Sequence, residues 1–193
     1  VMRRFAVGVF SECPDDDVRI EGRYSSLNYK DSLSATGHKG VTKRYPHTPG
    51  IDAAGVVQRS KSGAFASGDE VIVTGYDLGM NTSGGLAGLI CVPEQWVVQK
   101  PDNLSLRESM ALGTAGFTAA LANNRLQVAE VLTDHGEVLI TGSTGGVGTH
   151  SVELMTQPGD RVVALTGTTQ LTGSFLDLGP GEVLGPKEFL PQA

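Results

Sequence analysis

The sequence predicts a chain in two parts, a β-rich first part and a parallel α/β second part. Three observations carry this prediction. Short alternating apolar runs, separated by turn residues, fill the chain as far as residue 108. A glycine-rich turn, "ITGSTGGVG" (140–148), joins an apolar run to an amphipathic stretch. A second apolar run, "RVVALTG" (161–167), follows after the length of one helix, which completes a βαβ unit with a right-handed crossover.

The elements follow in order. "VMRRFAVGVF" (1–10) reads as a first strand, because its apolar part is too short for a signal peptide. "VRIEGRY" (18–24), "DAAGVV" (52–57), "DEVIVTG" (69–75) and "CVPEQWVVQ" (91–99) read as further strands of an all-β barrel or sandwich. The texture changes near residue 108, so the expected domains are 1–108 and 109–193. In "LRESMALGTAGFTAALANNRL" (106–126), Leu106, Met110, Leu112, Phe117 and Leu121 recur at helical spacings. "EVLITG" (137–142) is then a strand and "GVGTHSVELM" (146–155) a helix stopped by Pro158-Gly159. After "RVVALTG" come a helix in "TTQLTGSFLDLG" (168–179) and, in "GEVLGPKEFLPQA" (181–193), the start of a third strand.

Composition narrows the function classes. The formal charge of −6 argues against nucleic acid as a partner, since such domains carry a basic face. Lys43-Arg44 reads as a solvated loop, with an anion contact as the alternative. Apolar residues make up 39% of the chain but never form a run long enough to span a bilayer, which predicts a soluble cytoplasmic protein with no membrane partner. Cys13 and Cys91 lie far apart and form no CxxC, so free thiols in a reducing compartment are expected.

The glycine turn suits a dinucleotide. Gly142 permits a tight turn, Gly145 and Gly146 let main-chain N–H groups approach a diphosphate, and Gly148 allows the helix to pack closely. Ser143, Thr144 and Val147 complete the segment, whose helix N-terminus favours negative charge. A P-loop would need Gly-Lys-Ser/Thr, whereas Gly148 is followed by Thr149-His150. The short-chain dehydrogenase pattern TGxxxGxG also matches, but it requires a downstream Tyr-x-x-x-Lys, and the last tyrosine here is Tyr76. At the end of the second strand stand Thr166, Gly167, Thr168 and Thr169. No carboxylate there would repel a 2′-phosphate, so NADPH is allowed and NADH is not specially favoured.

Four further segments, "SSLNYKD" (25–31), "YPHTPGIDAAGVV" (45–57), "GGLAGLICVPEQW" (84–96) and "GTAGFTAAL" (113–121), together with "ITGSTGGVG", resemble the YhdH/YhfP-type quinone oxidoreductases of the medium-chain dehydrogenase/reductases, the group that includes acryloyl-CoA reductases. The resemblance implies a GroES-like β-barrel domain followed by a Rossmann domain, a doubly wound parallel sheet present here only in its first half. Zinc-dependent members hold their metal through a Cys and a His, where this sequence has Asn28 and Ile51. Isoleucine supplies no ligand, so a metal-free reductase with NADPH as cofactor is implied. The implied reaction is hydride transfer to the β-carbon of an enone, enoyl thioester or quinone, a small-molecule substrate, followed by protonation of the enolate.

The same resemblance sets Tyr29 beside the nicotinamide, as a cofactor contact and candidate proton donor or as a packed aromatic. Asn28 is expected to hold a substrate oxygen or to cap a loop, and Thr118 to approach the cofactor or pack its helix. Lys30 and Asp31 read as the charged start of a helix in water. His38, His47, His135 and His150 read as loop or surface residues, and Lys187 stands in for a missing 2′-phosphate contact. Family members carry a second mononucleotide-binding half. This chain is therefore expected to be part of a longer, homodimeric protein, or to associate through the open edge of "EVLITG". The alternative class is a non-catalytic nucleotide-binding or interaction module of the same fold.

Overall fold

The computed structural model describes residues 13, 17–131, 136–159, 161–168 and 173–189. The expected strand at 1–10, His135 and Thr169 lie outside these residues. The chain forms two compact units, Val1–Thr114 and Ala115–Ala193.

In the first unit, alternation becomes a sheet. β1 (Asp17–Tyr24), β2 (Asp52–Arg59), β3 (Glu70–Thr74), β4 (Leu89–Pro93) and β5 (Val97–Gln99) pair antiparallel in the order β4-β1-β2-β3-β5. Val18 and Ile20 of β1, Val71 and Val73 of β3, and Ile90 and Val92 of β4 point into one core, each at most 1% exposed. Burial of such side chains is worth about 2 kcal/mol each. The central strand β2 is buried on both faces. Its Ala53 and Val57 join that core, while Ala54 and Val56 meet Leu106 and Met110 on the other side. α1 (Tyr29–Thr36) links β1 to the loop before β2.

"CVPEQWVVQ", expected as one strand, is two. Pro93 has no N–H for the ladder, and a 3-10 turn at Glu94–Trp96 separates β4 from β5. The helix α2 (Leu106–Val128) is likewise broken, at Gly113 (φ 50°, ψ −154°). It starts on a capping box. Ser105 donates from N–H (2.8 Å) and hydroxyl (2.6 Å) to the Glu108 carboxylate, and Glu108 N–H returns a bond to the Ser105 hydroxyl.

The expectation of two free thiols is overturned, because Cys13 and Cys91 form a disulfide with their Cα atoms 5.8 Å apart. The reason is tertiary. Antiparallel pairing sets Cys91 of β4 opposite Arg19 of β1, and Cys13 lies just upstream of that strand.

The second unit holds β6 (Glu137–Thr141), α3 (Gly146–Thr156), β7 (Arg161–Leu165), α4 (Gly173–Leu176), β8 (Glu182–Leu184) and α5 (Pro186–Phe189). Its sheet is parallel, in the order β6-β7-β8, so the predicted third strand is present. The helix expected in 168–179 is only the single turn of α4 among the described residues. α3 buries Gly148, Val152 and Met155, one helical face, against Ile140, Val162 and Ala164. Among the described residues β6 pairs on one side only. Its outer part, with Ala119 and Leu126 of α2 and Met155 of α3, lines an apolar groove of about 240 Å³. No helix among the described residues is long and apolar enough to cross a membrane.

Two outcomes follow. The disulfide closes a loop with a sequence separation of 78. Its reduction, or Cys91→Ser, is expected to cost about 2–4 kcal/mol and to lower the melting temperature by on the order of 10 °C in calorimetry. The Glu108 carboxyl is held below its usual value, first by the Ser105 hydroxyl and then by the Ser105 N–H. Its support of α2 is therefore complete above the unfolded glutamate's pKa and lost as pH falls through the lower, folded one. An NMR titration of Glu108 should show the depressed midpoint, and Ser105→Ala should raise it.

Candidate active site

Two groups of residues, one in each unit, have the chemistry of a site. In the first unit the organiser is Asp52, a fully buried carboxylate at the head of β2. A carboxylate accepts and does not donate, so it draws donors around it. The Ser26 hydroxyl, the Asn28 amide (2.9 Å) and Thr114 N–H (2.9 Å) all donate to its Oδ2, and the Thr114 hydroxyl donates to Oδ1 at 2.6 Å. The sequence reading missed Asp52. The available signal was an acid opening a run of small residues, "DAAG", in which a buried charge must find donors.

Asn28 precedes α1 in extended geometry (φ −120°, ψ 155°), and Asp31 secures that start by accepting from Asn28 N–H at 2.7 Å. Asp31 was expected in water. It is 5% exposed, because its second oxygen accepts from Gly50 and Ile51 N–H, both at 3.0 Å, while Lys30 remains exposed. The Asn28 amide also donates to the Ser26 hydroxyl at 3.1 Å. The side-chain N–H groups of Asn28 are thus engaged inside the protein, with Ser26 and Asp52. Tyr29, next along, is 80% exposed, and its hydroxyl makes no hydrogen bond among the described residues. Ile51 is buried, and its side chain is apolar.

In the second unit the glycine turn has the form the sequence predicts. Gly142 is left-handed (φ 62°), and Gly145 N–H closes the turn on Gly142 O at 2.9 Å. Gly145 caps α3, whose first internal bond is Thr149 N–H to Gly145 O at 2.8 Å. The N–H groups of Gly146, Val147 and Gly148 precede that bond and have no helical acceptor. A Cβ on Gly148 would strike Gly142 O and lie 2.6 Å from Ser143 Cα, so here glycine serves contact within the turn itself.

The hydroxyls divide by role. Ser143, fully buried, donates from both N–H and hydroxyl to Leu165 O at 3.2 Å, joining the ends of β6 and β7. Thr144 meets Thr166 (2.8 Å) and Thr168 (3.1 Å) hydroxyl to hydroxyl, with Gly167 exposed between them. Lys187 lies exposed on α5, beyond the same carboxyl end of the sheet, and Thr118 lies exposed on α2. His47 bonds Gly79 O at 2.8 Å, His150 lies 3.9 Å from Glu153, and His38 is exposed. Among the described residues one group has metal-ligand character, Cys13, Asp17 and Cys91, and its two sulfurs are the disulfide.

The profile of the alcohol dehydrogenase GroES-like domain matches residues 14–102. YhfP of Bacillus subtilis (strain 168), which bears a quinone oxidoreductase name, is 44% identical over 177 residues, 92% of this chain and 54% of that protein. YhdH of Salmonella enterica, solved in complex with NADP, superposes with a TM-score of 0.90 at 39% identity, covering 97% of this chain and 59% of that one. The chain belongs to the YhdH/YhfP-type medium-chain dehydrogenase/reductases. Another relative in this family, the acrylyl-CoA reductase AcuI of Ruegeria pomeroyi, is 36% identical over 92% of this chain and 54% of its own length. The chain thus spans about half the length of the curated relatives it matches. The GroES-like part corresponds to the antiparallel unit, and the parallel unit is the first portion of a Rossmann-like domain.

Asp52→Ala should remove the acceptor that the half-buried donors of Ser26, Asn28 and Thr114 share. A loss of about 2–4 kcal/mol in denaturant unfolding is expected, larger than for an exposed control such as Asp102→Ala.

Proposed function

We propose that this chain is the substrate-handling and nucleotide-binding portion of a zinc-independent, NADPH-dependent reductase of activated double bonds, acting on quinones, enones or enoyl thioesters. One observation carries the reading: the turn at Gly142–Gly148 leaves three successive N–H groups at the start of α3, beside a cluster of threonine hydroxyls with no carboxylate among the described residues 166–168. Such a turn fits a dinucleotide diphosphate, because unpaired N–H groups and the helix dipole both favour the anion. Salmonella YhdH in complex with NADP and the names of AcuI and YhfP support the cofactor and the reaction class.

In this reading Gly146, Val147 and Gly148 hold the diphosphate through main-chain N–H groups. Thr144, Thr166 and Thr168 face the adenosine ribose, and the lack of an acid there admits the 2′-phosphate, with Lys187 as the nearby cation. When bound, the reduced nicotinamide supplies the hydride. The chain's own part is to orient the acceptor and deliver a proton. Tyr29 is the donor, since its hydroxyl is exposed and uncommitted. Asn28 is a positioning residue, fixing the backbone that leads into Tyr29 by its bonds to Asp52 and Ser26. Asn28 and Ile51 in place of metal ligands support zinc independence.

The decisive experiment follows NADPH oxidation with a simple quinone and with acryloyl-CoA, before and after exhaustive chelation. Turnover that survives chelation supports the proposal, and binding without turnover leaves only a nucleotide-binding module. Tyr29→Phe should lower kcat about 10²-fold with little change in NADPH affinity, whereas Gly148→Ala should weaken NADPH binding by at least about tenfold.

A further inference from the structure

The end of the antiparallel sheet that carries Asp52 also carries an aromatic pair with no role so far. Register places it there. Asp52 of β2 pairs with Thr74 of β3, Val73 pairs with Val97 of β5, Tyr76 follows two residues after Thr74, and Trp96 immediately precedes Val97. The two rings are stacked, with centroids 5.3 Å apart and planes 5° from parallel. Trp96 packs against the core of the unit, and Tyr76 lies outside it, 62% exposed. The order from the inside outward is apolar core, indole, phenol ring, solvent.

Tyr76 is held there at a conformational cost. Its φ is +53°, a region unfavourable to a bulky side chain and concentrated at functional sites. The loop is fastened on every side. Gly75 N–H donates to Ile51 O at 2.9 Å, the Tyr76 hydroxyl donates to Gln95 O at 3.3 Å, and His47 bonds Gly79 O at 2.8 Å. Ile51 in turn donates to Asp31, which also fixes Asn28. A large aromatic face is thus kept outward, rigid and attached to the same frame as Asn28 and Tyr29.

We propose that the Tyr76–Trp96 stack is the platform on which the planar ring of a quinone substrate packs as a third layer. The proposal rests on the reductase reading and selects, within it, a flat conjugated ring over a flexible enoyl thioester. A ring offers the phenol face a full stacking partner, whereas an acyl chain offers an edge. The adenine of coenzyme A is the other flat ring such a substrate could bring, and the test separates the two.

Trp96 is the sole tryptophan of the chain, so its fluorescence reports directly on the platform. Duroquinone, which lacks a free ring position for thiol addition, is titrated without NADPH. Saturable quenching is expected, with a dissociation constant raised at least about tenfold by Tyr76→Ala and also by Tyr76→Leu, and nearly preserved by Tyr76→Phe. Circular dichroism of each variant establishes that it is folded. Unsaturable quenching in the parent chain, an unchanged constant in both folded Tyr76→Ala and Tyr76→Leu, or displacement of duroquinone by coenzyme A would each overturn the proposal. Because no hydride transfer is involved, saturable binding by a chain that fails to oxidise NADPH would sink the reductase reading and leave the platform standing.

Discussion

The carboxylate of Asp52 is the constraint on which the antiparallel unit depends. Removing a charge from water costs several kcal/mol, and only a full set of donors offsets it. The donors come from two places in the chain, Ser26 and Asn28 just after β1 and Thr114 beyond the break in α2, and they converge on the head of the central strand. Ser25 adds a further tie, from its hydroxyl to Asp52 O at 2.7 Å. The backbone at Asn28, where α1 begins, is thereby tied to the head of β2. The second buried acid, Asp31, extends the same frame to Gly50 and Ile51 and so to the loop of Tyr76.

The two units solve opposite problems with the same kind of chemistry. Around Asp52 every donor is engaged, because the charge belongs to the protein. At the start of α3 the hydroxyls of Ser143, Thr144, Thr166 and Thr168 bond to strand carbonyls or to one another, while the N–H groups of residues 146–148 stay open. The first arrangement is complete as it stands. The second leaves donors of the kind an anion accepts from, and this contrast is what the proposed division between acceptor handling and nucleotide binding rests on.

Much of this was legible in the sequence where short-range pattern decides structure. The alternation of Val18 and Ile20, or of Val71 and Val73, fixes which face of a strand is buried, and "TGSTGGVG" between two apolar runs fixes the turn and the helix that follows. What was not legible depends on partners distant in the chain. Cys13 meets Cys91 only because β1 and β4 pair, and Asp52 becomes an organiser only because Thr114 returns to it. Asn28 illustrates a middle case. Its place at the start of a helix was readable from the motif, but that its N–H groups are occupied follows from Ser26 and Asp52 in three dimensions. The 3-10 turn after Pro93 was missed for a simpler reason, since "CVPEQWVVQ" has β-rich ends that mask its interruption.

Gly113 shows how tightly such a frame restricts change. It has a left-handed φ of 50°, and a Cβ there would lie 2.7 Å from the Ser26 hydroxyl and 2.9 Å from Asp52 Oδ2. Conformation and crowding therefore both demand glycine, and the crowding comes from the very groups that satisfy the acid. Positions 26, 52 and 113 accordingly share one space, so a side chain at 113 is admitted only where 26 or 52 is altered to make room for it.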